Sequence, residues 1–258
     1  MITALEHGLD FPVMVFIISV VTLWLSAQAG AYMNRRRGKM EEDERADLGI
    51  VVGAALTLLG LIIGFTFSMA ITRYDQRKDF EEEEANAIGT EYVRAGLLPA
   101  ADAAKVHDLL KQYLTQRILF YTTRNAEKLE RINATTAQLQ NDLWFAIEAP
   151  AKTDPSPVNA VVVEGMNDVL NRQGYTQASW WNRIPIAAWV LMAAIAICCS
   201  YLVGYNARIC RGIKRFWVLP LIVSISFFLV ADIDSPRSGV IRVHPMNLEA
   251  VVSSIQAP

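Results

Sequence analysis

The sequence is short of charge. Aspartate, glutamate, lysine and arginine make up 19% of its 258 residues, against about 25% in an ordinary soluble domain. The deficit is local. Four long runs hold no acidic or basic residue at all: Phe11 to Ala27, Leu48 to Ile71, Ile184 to Gly204 and Phe216 to Ala231. A helix built from such a run is apolar on every face. It cannot wall a small soluble core and needs an apolar solvent around it.

Cysteine is scarce as well. Cys198, Cys199 and Cys210 make an odd count, with two adjacent inside an apolar run. That excludes a disulfide framework and leaves them as small packing residues. The first ten residues contain Glu6, His7 and Asp10 but no lysine or arginine. A cleavable signal peptide lacks its positive region here, so the first run is expected to be kept as a helix. The three histidines, His7, His107 and His244, are scattered. There is no glycine-rich phosphate loop, nucleophile elbow or zinc spacing, so the sequence carries no enzyme signal and no cofactor is expected. No basic patch is dense enough for nucleic acid.

What is present is length. A membrane-spanning helix needs about 20 apolar residues. The runs predict membrane helices over about 11–32, 48–72, 184–204 and 213–232. The fold class expected is an all-α integral membrane protein. Four transmembrane helices form two pairs, flanking an α-helical soluble domain that extends from the second helix. The expected domains are 1–72, 73–183 and 184–232, with a tail over 233–258. The fourth helix is short and contains Pro220. It spans only by drawing in Ile213 and Ile233; a re-entrant hairpin with the third is the competing arrangement.

The loops give a direction. Arg35, Arg36, Arg37, Lys39 and Arg45 follow the first helix, and Arg208, Arg211, Lys214 and Arg215 follow the third. Short basic loops favour the cytoplasm, which puts the soluble domain on the non-cytoplasmic side of a bacterial inner membrane. Trp180, Trp181, Trp189, Phe216 and Trp217 lie near helix ends, as interface aromatics do. Residues 73–183 carry 13 basic and 16 acidic residues.

In that segment the sequence predicts the second helix running on to Leu98, then helices over about 101–122, 125–149 and 159–174. Ala149 to Pro157 reads as a turn. Arg77 with Glu81 and Lys78 with Glu82 fall at i, i+4 and favour an exposed helix. The run Glu81-Glu82-Glu83-Glu84 points around the helix rather than to one focus. It reads as a solvated face, or, repeated around a ring of subunits, as an acidic vestibule. A short surface helix is expected over Met246 to Ile255.

The second membrane helix carries most information. Gly49, Gly53, Gly60 and Gly64 fall within about 60° of one another on the helical wheel. Such a stripe lets another helix approach closely, so these four are helix-packing candidates. Thr57, Leu61 and Phe65 occupy the neighbouring face and are candidates to line a central axis.

The stretch Gly64-Phe65-Thr66-Phe67-Ser68-Met69-Ala70-Ile71-Thr72-Arg73-Tyr74-Asp75-Gln76-Arg77 resembles the end of the second helix of bestrophins. There a glycine-aromatic pair precedes an arginine-aromatic-aromatic motif. The whole chain is more similar to a bacterial bestrophin-like family. The marks are residues 64–77, Glu84-Ala85-Asn86-Ala87-Ile88-Gly89-Thr90, Leu97-Leu98-Pro99 and Asp232-Ile233-Asp234-Ser235-Pro236-Arg237-Ser238-Gly239. The polar residues of these motifs are Arg73, Asp75, Arg77, Glu84, Asn86, Asp232, Asp234 and Arg237. The resemblance implies a homo-oligomer, a pentamer by analogy, whose subunits each place four helices in the bilayer and conduct inorganic ions, anions by analogy. It implies Phe65 as a neck residue, with Leu61 and Thr57 one and two turns earlier. Thr57 is more polar than the aliphatic residue the pattern calls for, Asp75 replaces the second aromatic, and an acidic calcium clasp is missing. The resemblance also implies a cytoplasmic soluble domain, against the basic loops.

Asp232, Asp234 and Arg237 follow the fourth helix. Two carboxylates are too few for calcium on their own. Pairing with Arg237 or Arg242 is the other reading, and boundary carboxylates are candidates for function in either case. Two functions remain open: an oligomeric ion channel or channel-like pore, and a non-conducting scaffold or accessory subunit of a larger membrane complex.

Overall fold

The structure is a computed structural model that describes residues 11–37, 41–207 and 217–256. Lys39, the second basic loop (Arg208, Arg211, Lys214, Arg215), His7, Cys210, Phe216 and the Ile213 start of the fourth helix lie outside them. Among the described residues there are helices and no strands: α1 (Pro12–Arg37), α2 (Glu42–Ala95), α3 (Ala100–Thr122), α4 (Ala126–Thr153), α5 (Pro157–Trp181), α6 (Ile186–Asn206), α7 (Val218–Asp234) and α8 (Met246–Gln256).

The chain divides into two compact units. The first holds residues up to Arg73 together with Arg183–Arg242, and the second holds Tyr74–Asn182 and Val243–Pro258. The stretch 233–258 is therefore shared between them. Three stretches are long and apolar enough to cross a membrane: Pro12–Arg37, Glu42–Ala95 and Pro157–Asn206, the last containing α5 and α6. At 17 residues, α7 is shorter.

Charge sits where the helix dipole favours it. Glu42, Asp43 and Glu44 occupy the first turn of α2, and Arg35, Arg36 and Arg37 the last turn of α1. Helix α2 then runs 54 residues without a break. Nothing in its sequence stops it before Gly96, because it holds no proline.

In the first unit α1 packs against α6 and α7. The α1–α6 crossing is made of small residues. Ala27, Gly30 and Ala31 on α1 and Cys199, Ser200 and Gly204 on α6 are all buried, with Gly204 against Ala27 and Gly30 against Tyr201. The glycines are needed for the close approach: a Cβ on Gly204 would lie 2.8 Å from the Ala27 carbonyl carbon, and one on Gly30 2.8 Å from the Tyr205 nitrogen. The Ser26 hydroxyl donates to the Ile197 carbonyl at 2.8 Å, and the Asn34 amide to the Ala207 carbonyl at 3.0 Å. These pairings run in the same direction along both helices, so α1 and α6 are parallel. They end on the same side, where Arg37 donates to the Tyr205 hydroxyl at 2.8 Å. Aromatic contacts complete the unit: Trp24 stacks on Trp217, while Phe16–Phe228 and Trp189–Phe227 meet edge to face.

The second unit is a helical bundle. α4 packs on α3 and α5, and α8 packs on α3. Its core joins Ile88, Val106, Leu110, Tyr113, Phe120, Leu143, Ile147, Met166 and Val169. Asn125 caps α4 by accepting from the Lys128 nitrogen at 2.9 Å, and Ser156 caps α5 ahead of Pro157. The turn expected over Ala149–Pro157 begins later than the sequence predicts. Pro150 is buried inside the last turns of α4, which continue to Thr153. The proline forfeits one helical donor. The Asp154 nitrogen still donates to the Pro150 carbonyl, and the Thr153 hydroxyl to the Ala149 carbonyl, both at 2.9 Å.

The glycines of α1 and α6 should therefore be the sensitive ones within a single chain. Gly204→Ala is expected to lower the melting temperature of the dissociated single chain in detergent, whereas Gly60→Ala leaves it unchanged, since a Cβ there meets nothing within 4 Å. Equal losses from both would contradict the packing described.

Candidate functional site

The membrane part of α2 has two opposite faces. Val52, Leu59, Thr66 and Ala70 are buried, and on the wheel they fall within about 40° of one direction. Thr57, Leu61 and Phe65 point about 180° away, and all three are exposed. Leu61 is 53% and Phe65 65% exposed. The Thr57 hydroxyl is occupied by the Gly53 carbonyl at 2.9 Å, leaving its methyl group outward. The glycine stripe lies between the two faces and is open: a Cβ on Gly53, Gly60 or Gly64 would meet nothing, and on Gly49 only the Asn206 amide at 3.8 Å. The stripe is thus unused among the described residues.

At the end of α7 the carboxylates have backbone partners. Asp232 accepts from the nitrogens of Val240 and Ile241, both at 2.8 Å, and folds the following turn back on the helix. Asp234 accepts from the Ile184 nitrogen at 3.2 Å. Both aspartates are buried, and no cluster of three metal-ligating side chains occurs among the described residues. Arg237 is half-buried beyond them, and Arg73 is half-buried with a long contact of 3.8 Å to the Met69 sulfur.

In the second unit the glutamate run is not a solvated face. Glu82 is exposed and Glu83 half-exposed, but Glu81 and Glu84 are 2% and 0% exposed. Residues three apart share a helix face, so a run of four places its two ends on the buried side. Glu81 caps α8: it accepts from the backbone nitrogens of Asn247 and Leu248 at 3.0 and 2.9 Å and from the Asn247 amide at 2.6 Å. Burial pushes its carboxyl above the ordinary range, and these donors pull it back.

Glu84 is the hub of the core. It pairs with the Arg117 guanidinium and accepts from the Thr176 hydroxyl at 3.0 Å and the Tyr121 hydroxyl at 3.4 Å. Three helices, α2, α3 and α5, are thereby tied to one carboxylate. Arg117 is fully buried and stacks over Phe120 at 4.5 Å. Burial works against its charge, but Glu84 and the neighbouring tyrosines outweigh that and raise it above the usual arginine range. Arg77, also buried, donates to the carbonyls of Ser179 and Asn182 at the end of α5, at 3.4 and 3.5 Å. Asp75 and Asn86 are exposed.

Arg117, Tyr121 and Thr176 were not among the residues the sequence singled out. The available signal was Arg117 itself. It continues the apolar series Val106, Leu110, Tyr113 and Leu114 at helical spacing. A charge on a buried stripe needs an opposite charge, and the glutamate run supplies it.

Glu84→Met is expected to lower stability by about 3–5 kcal/mol, because it leaves the Arg117 charge buried without its partner. The double variant Glu84→Met with Arg117→Met should be less destabilised than either single one. Thermal unfolding in detergent measures this, and a double variant as poor as the sum of the singles would count against a paired charge.

A bestrophin-like domain model matches residues 18–248. No curated protein matches the chain. Among solved structures it is similar to a bacterial bestrophin homologue from Klebsiella pneumoniae. Against a tryptophan-to-alanine variant of that protein the TM-score is 0.61 at 13% identity, covering 93% of each chain. Against the form solved by zinc phasing it is 0.60 at 12% identity, over 94% of this chain and 95% of the other. The helical architecture is therefore shared where little sequence is, and the family model spans both units: the chain belongs to the bestrophin-like family.

Proposed function

We propose that the chain is one subunit of a homo-oligomeric ion channel, with the Thr57, Leu61 and Phe65 face of α2 on the shared axis. The observation that carries this reading is that face. It is open, it lies opposite the buried stripe, and it is bordered by a glycine stripe of which Gly53, Gly60 and Gly64 meet nothing within 4 Å among the described residues. An oligomer gives both surfaces an occupant: the glycines admit a neighbouring helix, and the opposite face closes on copies of itself. Membership of a family of ion channels supports the same conclusion. Anions are the transported class by that analogy, and a pentamer is the matching ring.

In this reading α7 is a fourth crossing. Its 17 residues give about 25 Å of helix at 1.5 Å per residue, against an apolar bilayer core of about 30 Å. Trp217 at its start and Asp232 and Asp234 at its end suit the two interfaces. The protein is then a multi-pass protein of a bacterial inner membrane. Leu61 and Phe65 form a hydrophobic constriction, with Thr57 the more polar ring. Such a constriction gates by its width and its wetting.

Reconstitution into liposomes with a halide-influx readout tests this. Phe65→Ala is expected to raise the flux severalfold by widening the constriction. Leu61→Glu should cut anion flux about tenfold or more by placing a ring of negative charge on the axis. Absence of flux from the folded wild-type protein under any ion gradient would overturn the channel reading and leave a non-conducting scaffold.

A further inference from the structure

Glu91 is a buried acid that neither the hub nor the open face uses. It is 0% exposed, and neither carboxyl oxygen has a hydrogen-bond partner. An ionised carboxylate cannot stay in such a place without donors, whereas a neutral carboxyl can. The surroundings are shaped for it. Gly165 of α5 lies against the carboxyl, and a Cβ there would run into Glu91 Oε2 and come within 2.6 Å of Arg94 Nη1.

We propose that Glu91 is a proton-binding site that latches α2 to α5. While protonated it packs against Gly165. When it loses the proton to solvent, the carboxylate draws off Gly165 to pair with the Arg94 guanidinium, which lies beside it against the same glycine.

Arg94 is suited to that role. It lies three residues on along the same helix, it is half-buried, and its side chain makes no hydrogen bond or ion pair among the described residues. It lines a cleft of about 370 Å³ together with Glu83, Asn86, Thr90, Asp168 and Arg172, which gives water a route to the site. The other cation of the cleft, Arg172, is held by Glu83 at 2.5 Å. Asp168, exposed on α5, disfavours a second negative charge beside it. From α3 the facing charged groups serve Tyr92 instead: His107 bonds and stacks on it, and Lys111 lies over its ring.

The pH range follows from the burial. Desolvation pushes Glu91 up to about 8, with Arg94 opposing and Asp168 reinforcing. Its folded-state value is raised, so the folded state holds the proton more tightly than the unfolded chain. The packed arrangement has its full stability below the ordinary carboxylate range and loses it progressively as pH rises toward about 8.

Infrared spectroscopy and hydrogen exchange on the full-length protein in detergent test the latch. The wild type should show a protonated-carboxyl carbonyl band at pH 6 that is gone at pH 9.5 and is missing from Glu91→Gln. Exchange protection around Gly165, corrected for the intrinsic base rate, should fall at least tenfold over that range in the wild type and much less in Glu91→Gln. Arg94→Gln, which removes the cationic partner, should move loss of the band to higher pH. A wild type without the band at pH 6, or a Glu91→Gln protein that keeps it or loses protection as the wild type does, would overturn the proposal. So would an Arg94→Gln protein that titrates unchanged.

Discussion

The constraint on which the structure rests is the continuity of α2. This helix of 54 residues contributes to both units, and in each of them it buries one stripe. Val52, Leu59, Thr66, Ala70, Arg77, Glu81, Glu84, Ile88, Glu91 and Ala95 are all buried. On the wheel they fall within about 80° of one another. Each unit buries its own part of these positions. Up to Ala70 the stripe is apolar or carries a hydroxyl bonded to its own helix, as with Thr66 and the Ile62 carbonyl. From Arg77 onward it carries ionisable groups, and Arg77, Glu81 and Glu84 each draw in a neighbouring element.

That change of chemistry explains the second unit. Hydrophobic burial is non-directional, but a buried carboxylate demands particular donors. Glu81 calls for the start of α8, and Glu84 for Arg117 of α3 and Thr176 of α5. Such contacts fix which helices meet and in what register. A buried pair adds little net stability over an apolar core, so specificity of packing is its plainer contribution here.

The membrane half was legible in the sequence because lipid imposes a simple rule. Three of the runs without charge fall in stretches long and apolar enough to cross a membrane, and α2 carries no residue to stop it. The starts of α3 and α4 were legible for a related reason: Pro99 and Asn125 punctuate the chain. The turn at Pro150 misled because a buried proline near a helix end costs only one donor. The glutamate run misled more instructively. Read as a block it looks like a solvated face, but position by position its ends share the buried stripe with Arg77 and Ile88. Nor could the glycine count alone identify the intrachain crossing. Gly30 and Gly204, single glycines on different helices, make it, while the four-glycine stripe of α2 stays open.

The open stripe and the Thr57, Leu61 and Phe65 face are surfaces that the described residues of one chain leave uncovered. The central claim is that copies of the chain close around that face. Spin-label distances between subunits measure it directly, with a single cysteine placed at position 61 after Cys198, Cys199 and Cys210 are changed to serine. The account predicts short inter-subunit distances from position 61, shorter than those from a label at Val190 on α6. A label at position 61 that sees no other copy, or lies farther from its copies than the one at Val190, would contradict it.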